Sequence, residues 1–127
     1  VLFDRIVDLE AINRGVDGRP LVFLNACQSA IDEAVEVQTG YVGSYTLGIA
    51  SAFMLGGALA CVGSIWKITD SSSASFAGHF YKELLSGVMV GEALRRTKVQ
   101  TRMMNPSEAS WASYILFGDP TSRLFIT

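Results

Sequence analysis

The sequence predicts an α/β domain built around a mostly parallel sheet. Two short continuous apolar runs, LVFL at 21–24 and ALACVGSIW at 58–66, have the length and composition of strands that are buried on both faces. Segments with helical periodicity lie between and after these runs, and strands that alternate with helices are typical of layered α/β domains. With 127 residues, half of them hydrophobic, the chain is expected to form a single domain with its own core.

The first half of the chain is expected to contain two helices and one strand. Residues 1–12 have the spacing of a short amphipathic helix, and the sequence GVDGRP at 15–20 predicts a turn before a buried strand over 21–26. Residues 28–45 are of mixed polarity and contain glycine, so we expect a loop with one helical turn there. The segment 46–55 has the length and composition of a helix.

The second half is expected to contain a strand over 59–66, helices over 72–86 and 90–104, and two strands in the apolar runs at 111–118 and 122–127. Serines precede the first of these helices, a glycine ends it, and an Asn-Pro pair ends the second. The side chains expected on the inner faces are Phe76, Ala77, Phe80, Tyr81, Leu84 and Leu85 in the first helix, and Val90, Ala93, Leu94, Thr97, Thr101 and Met104 in the second.

Composition and charge exclude several classes of protein. A net charge of −2 and the absence of any basic run longer than Arg95-Arg96 argue against direct binding of nucleic acid. Residues 37–66 are uncharged, but the Gly56-Gly57 pair interrupts them, so two shorter buried elements explain this segment better than a membrane span does. Two cysteines and a charged amino terminus do not suggest a secreted disulfide scaffold, and we expect a cytoplasmic protein.

The candidate nucleophile is a cysteine at the end of a predicted strand. Chemistry in a parallel sheet collects beyond the carboxyl ends of the strands, which here are NACQS at 25–29 and WKITD at 66–70. Cys27 leaves an apolar strand for a polar loop, where backbone amides can lower the pKa of a thiol. The alternative is that Cys27 is a small buried hydrophobe, which is the commoner fate of a free cysteine. Cys61 lies inside a predicted strand and is expected to be a packing residue.

The other chemically active side chains leave open alternatives. Asp70 is interpreted either as the N-cap of the following helix or as a carboxylate that pairs with a cationic group of a ligand. His79 is the chain's one histidine, and it is expected on the surface because it points away from the apolar stripe of its helix. The sequence has no zinc pattern and no nucleotide-binding or serine-hydrolase motif, so we expect no metal and no cofactor.

Four segments, in order and spanning about residues 20–120, closely resemble the carboxyl-terminal half of the CHAT domain, a caspase-like cysteine peptidase family of clan CD related to separase. They are LVFLNACQSA, GSIWKITD, FAGHFYKELLSGVMVGEALRRTKVQ and WASYILFGDP. The resemblance implies a caspase-like three-layer α/β/α sandwich. It also implies a cysteine endopeptidase in which Cys27 is the nucleophile and Asp70 receives a basic P1 side chain, Arg more than Lys. Gln28 and Trp66 are expected to belong to the same substrate-binding site.

Two departures from the family pattern bear on activity. The family usually has glycine after Gln-Ser, whereas this chain has Ala30, which restricts the loop. The family's catalytic histidine lies on an earlier strand, and the 26 residues before Cys27 contain none. We therefore expect the base to come from the amino-terminal part of the same protease or from another chain; the alternative is a catalytically inert interaction domain. The resemblance implies a protein or peptide substrate, a regulatory region such as TPR repeats, and a role in bacterial immunity or programmed cell death.

Overall fold

The computed structural model describes residues 2–3, 20–24, 42–66 and 68–123, without the side chains of 2–3 and 42–45. In chain order the elements are β1 (Leu2–Phe3), β2 (Leu21–Leu24), α1 (Val42–Leu55), β3 (Ala60–Ser64), α2 (Asp70–Leu85), α3 (Val90–Met104), a 3₁₀ helix (Ser110–Ser113) and β4 (Tyr114–Gly118).

The strands of the described residues form one sheet in the order β1-β2-β3-β4. β1 pairs with β2 and β2 pairs with β3 in parallel, which places Leu24 opposite Gly63. β4 runs antiparallel to β3, with Tyr114 opposite Ser64. The sheet is therefore mixed rather than wholly parallel. A parallel pair needs a crossover connection, and α1 supplies the one between β2 and β3.

Side chains of the central strands alternate between two cores, because successive residues of a strand point to opposite faces. Val22, Leu24 and Cys61 pack with the buried residues of α1. Phe23 and Val62 pack with the buried residues of α2 and α3 on the other face. Helices thus cover both faces of the sheet, and the three-layer α/β/α architecture that the family resemblance implies is confirmed.

The helices predicted over 46–55, 72–86 and 90–104 are confirmed as α1, α2 and α3. α1 begins at Val42, inside the predicted loop. Valine, glycine and serine in its first turn have low helix propensity, so the sequence did not indicate this earlier start. Among the described residues, none of the helices combines the length and the apolar composition that crossing a membrane requires.

The helix expected over 1–12 is wrong at Leu2 and Phe3, which form β1. A short apolar run suits a helix or a strand equally well, and here pairing with β2 decides the outcome. The rest of that segment and residues 15–19 of the turn expected at 15–20 lie outside the described residues, as do residues 25 and 26 of the first predicted strand.

The strand expected over 111–118 begins only at Tyr114. The preceding residues form the 3₁₀ helix, because the backbone and hydroxyl of Ser113 bind the turn that follows β3. The second tail strand, expected over 122–127, is wrong at residues 122 and 123, which are not in a strand, and its remainder lies outside the described residues.

Two residues expected on inner faces are exposed. Leu85 is 62% exposed and Met104 is 63% exposed. Each is the last residue of its helix, so no further turn follows to pack beside it. His79 is partly exposed on α2, in agreement with its position off the apolar stripe.

Candidate functional site at the carboxyl edge of the sheet

The carboxyl edge is the edge of the sheet at which β2 ends at Leu24 and β3 ends at Ser64. The parallel register pairs Leu24 with Gly63, so the two strands end side by side at this edge. α1 begins at this edge, since Thr46 in its second turn donates a hydrogen bond of 2.7 Å to the Ser64 carbonyl. α2 begins after β3, so the amino ends of two helices belong to the same edge.

The predicted site residues divide between described and undescribed parts of the chain. Cys27 and Gln28 lie outside the described residues, three and four positions after Leu24. Trp66 and Asp70 are described: Trp66 lies between β3 and α2, and Asp70 is the first residue of α2. The structure therefore places Trp66 and Asp70, the described half of the predicted site, at the edge at which β2 ends.

Trp66 is held at this edge by a residue that is distant in sequence. The Ser113 hydroxyl accepts the backbone N–H groups of Ile65 and Trp66, each at 3.1 Å, and donates to the Trp66 carbonyl at 3.2 Å. Ser113 is fully buried, while Trp66 remains 40% exposed. This geometry fixes the backbone at Trp66 and leaves part of the indole available to a ligand.

Asp70 does not cap α2, so that interpretation of the sequence is wrong. Thr69 is the N-cap: its backbone is extended, and its hydroxyl accepts the Ser72 N–H at 3.2 Å. Thr69 rather than Asp70 is the cap because the N-cap lies one position outside the helix, and Asp70 is already the first helical residue. The exposed Asp70 side chain stands at the positive end of the helix dipole, which favours its negative charge. Ile68, which is 6% exposed, anchors the segment in the core.

The end of β3 is fitted closely to α1. A Cβ atom at Gly63 would lie 2.7 Å from Cγ2 of Thr46 and 3.5 Å from Cβ of Leu24, so this position has room for glycine only. Gly63, Thr46 and Ser113 position the edge, and none of them was among the site residues predicted from the sequence. The one available signal was a glycine inside an otherwise apolar strand.

Cys61 has the properties of a packing residue, as the sequence predicts. It lies in the interior of β3 with no solvent exposure, and burial raises the pKa of its thiol to about 12. A thiol in this state is not a nucleophile near neutral pH. In the described part of the chain, no three His, Cys, Asp or Glu side chains are grouped so that they could hold a metal ion.

Comparison with known proteins gives one family and one fold. The family model of the CHAT domain matches residues 3–119. No curated protein matches the sequence. Among solved structures, the chain is similar to separase in the crystal structure of the Saccharomyces cerevisiae separase–securin complex, with a TM-score of 0.51 and 14% identity. That similarity covers 77% of this chain but 8% of that chain, and at this identity it shows the fold alone.

Proposed function

The chain belongs to the CHAT domain family, and from that premise we propose that it carries the catalytic cysteine of a caspase-like endopeptidase that cleaves after a basic residue, preferably Arg. In this proposal Cys27 is the nucleophile and Asp70 receives the P1 side chain. Gln28 and Trp66 complete the substrate-binding site. The similarity to separase covers only a small part of the separase chain. The activity of the whole protein that contains this chain is therefore proposed together with the roles of these residues.

The observation that carries the proposal is the parallel register of β2 and β3. Leu24 lies opposite Gly63, and Asp70 follows β3 by six residues at the same edge. Cys27 follows Leu24 by three positions, and a chain of that length spans about 11 Å at most. This distance supports the proposal that Cys27 and Asp70 act at one edge of the sheet, where α/β domains bind their ligands.

The proposed reaction forms a thioester. The Cys27 thiolate attacks the scissile carbonyl, the peptide nitrogen takes up a proton and leaves as an amine, and water then releases the acyl group from sulfur. The partial positive charge at the amino end of α1 favours negative charge at this edge, which assists both the thiolate and the developing oxyanion.

The base is proposed to come from outside this chain. His79 is the one histidine of the sequence, and it lies nine residues along α2 from Asp70, about 14 Å at the rise of an α-helix. We propose that the amino-terminal part of the same protease or a partner chain contributes the histidine. The separase structure in the comparison contains a second protein, and we extend the proposal to a protein partner for this chain.

The decisive experiment replaces each cysteine separately in the full-length protein. We predict that Cys27→Ala abolishes cleavage of P1-Arg peptides and labelling by an arginyl peptide with a thiol-reactive ketone, while the melting temperature stays within a few degrees. Cys61→Ala is the matched control: it is expected to retain cleavage and labelling and to lose stability only. Full cleavage by the Cys27→Ala protein would refute the nucleophile, and a wild-type protein that neither cleaves nor labels would indicate an inert interaction domain.

A second prediction concerns Asp70. We expect Asp70→Asn to lower kcat/KM for P1-Arg peptides by about a hundredfold, the scale of a lost charge-assisted hydrogen-bond pair. Stability should change little, because the helix cap is Thr69. Thr69→Ala is the structural control: it should cost about 1 kcal/mol of stability and leave the P1 preference unchanged. Preference of the wild-type enzyme for P1-Asp over P1-Arg would contradict the assignment of Asp70.

A further inference from the structure

A cleft of about 400 Å³ opens beside Asp70, between the first turns of α2, the last turn of α3 and the loop that leads to the 3₁₀ helix. None of the site residues predicted from the sequence lines it. Its lining includes Ser71, Ser72, Thr101, Met104, Glu108 and Ser110.

Glu108 gives the cleft its charge. The Ser72 hydroxyl donates to the two carboxylate oxygens at 3.1 Å each, and the Asn105 amide nitrogen donates at 2.8 Å. These neutral donors orient the carboxylate without cancelling its charge. The ion pairs that link described residues involve Glu83 and Glu92 instead. The partly buried carboxylate therefore favours a cation in the cleft.

Ser110 supplies the second, independent observation. The residue is 8% exposed, and its hydroxyl has no hydrogen-bond partner among the described residues. Leaving a buried hydroxyl unpaired costs about 1–3 kcal/mol, which favours binding of a partner that the described residues do not provide. A ligand with hydrogen-bond donors could pair with both Ser110 and Glu108.

The remaining wall defines the shape of the ligand. Met104 lines the cleft next to Thr101, and its thioether side chain can cover an alkyl stem. An anion would meet the Glu108 carboxylate, and a purely apolar group would leave both Glu108 and Ser110 unpaired. An alkyl stem that ends in a guanidinium or ammonium group matches the cleft: the stem can pack on Met104, and the cationic group can donate hydrogen bonds to Glu108 and Ser110.

We propose that this cleft is a subsite for a second basic side chain of the peptide substrate, Arg or Lys, close to the cleaved bond. The inference rests on the proposed function, because the cleft begins at Ser71, the residue after Asp70. A peptide whose P1 side chain reaches Asp70 has its neighbouring residues next to the mouth of the cleft. The substrate class is therefore a dibasic or polybasic peptide segment.

The test measures binding of labelled peptides to the full-length Cys27→Ala protein. Each peptide has Arg at P1 and a second Arg placed in turn at the four positions on either side, with citrulline peptides of the same sequence as the uncharged reference. At one position or more, Arg is expected to bind about tenfold more tightly than citrulline. Glu108→Gln should remove this gain. Glu83→Gln, on the same helix as Ser72 but about 16 Å along it, should retain the gain.

Ser110→Ala distinguishes a ligand-binding hydroxyl from a structural one. Because the hydroxyl has no partner in the described structure, the alanine variant should melt at or above the wild-type temperature and still lose several-fold in affinity for the dibasic peptide. This variant also serves if Glu108→Gln fails to fold. The subsite would be overturned if Arg bound no more tightly than citrulline at any position. It would also be overturned if Glu108→Gln and Ser110→Ala both kept the tighter binding of Arg.

Cleavage assays separate failure of the subsite from failure of the proposed function. Wild-type cleavage of P1-Arg peptides with no dependence on Glu108 would overturn the subsite alone. Binding that depends on Glu108 in a protein that cleaves no peptide would overturn the peptidase and, with it, the identification of the ligand as a substrate. A Cys27→Ala protein that binds none of the peptides would overturn both.

Discussion

Cys61 shows how burial alone sets the chemistry of a residue. The thiol lies in the core between β3 and α1, and burial raises its pKa from 9.0 to about 12. The folded protein thus keeps the proton on this sulfur at pH values at which the unfolded chain has lost it. Stability from this group is fully present below about pH 9 and is lost as the pH rises toward 12.

We therefore predict that the stability difference between the wild type and Cys61→Ala changes with pH. Near pH 7 the alanine variant should be less stable by about 1–2 kcal/mol, because it loses the buried sulfur. Above about pH 9 the gap should narrow, with a slope of at most about 1.4 kcal/mol per pH unit. Urea unfolding of both proteins at about pH 7.5, 9 and 10.5 measures the gap. A constant gap would contradict the raised pKa.

The contact between α1 and β3 is the element-scale feature on which the carboxyl edge depends. Gly63 allows the helix to approach the strand, and Thr46 uses that approach to donate its hydroxyl to the Ser64 carbonyl. A hydrogen bond and a steric requirement thus meet at Thr46, which lies 17 positions before Gly63 and 18 before Ser64. The position of α1, and of its positive end, follows from this contact.

A double-mutant cycle tests this packing. We predict that Gly63→Ala destabilises the protein by about 1–3 kcal/mol, because the new methyl group overlaps Cγ2 of Thr46. Thr46→Ser removes that methyl group and keeps the hydroxyl, so in the double variant most of the lost stability should return. Urea unfolding of the four proteins gives the coupling energy.

Gly48→Ala is the control for this cycle. Gly48 lies on α1, and a Cβ atom added there would have no neighbouring atom of the described residues within 4 Å. Alanine at this position should therefore be neutral or stabilising by up to about 1 kcal/mol. Strictly additive effects of Gly63→Ala and Thr46→Ser would show that the two residues do not compete for the same space.

At the scale of the whole molecule, one aromatic cluster joins the sheet to its helices. The Phe23 ring lies 5.3 Å from that of Phe80, 5.6 Å from that of Tyr114 and 6.5 Å from that of Phe76, measured between centroids. Phe76 and Tyr114 stack at 3.7 Å with nearly parallel planes. The cluster connects β2, α2 and β4. Removal of the Phe23 ring should therefore weaken the packing of α2 on the sheet and destabilise the whole domain.

We predict that Phe23→Ala lowers the free energy of unfolding by about 3–5 kcal/mol, a large fraction of the stability of a typical domain. Thermal unfolding followed by circular dichroism and by tryptophan fluorescence should give one lowered midpoint with both probes, because the layers unfold together. Leu55→Ala, at a position that is 84% exposed, is the control and should change the midpoint little. Separate midpoints for the two probes would show that the layers are not one cooperative unit.

Much of this fold could be predicted because its signals are local. The apolar run at 21–24 indicates a strand buried on both faces, and the structure shows Val22 and Phe23 fully buried on opposite faces. The periodicity over 90–104 predicts α3 with its observed bounds. β1 and the 3₁₀ helix could not be predicted in this way, because short segments take their conformation from the partner they pair with.

By itself, the sequence determined the α/β class, the main elements and the placement of Trp66 and Asp70 beyond a strand end. These features are local, because apolar runs and helical periodicity can be recognised within short stretches of neighbouring residues. Tertiary structure alone decided that Ser113 holds Trp66 from 47 positions away, and that Glu108 meets Ser72 across 36 positions. Such contacts depend on how several elements pack, to within the reach of a hydrogen bond, and no local pattern in the chain encodes that distance.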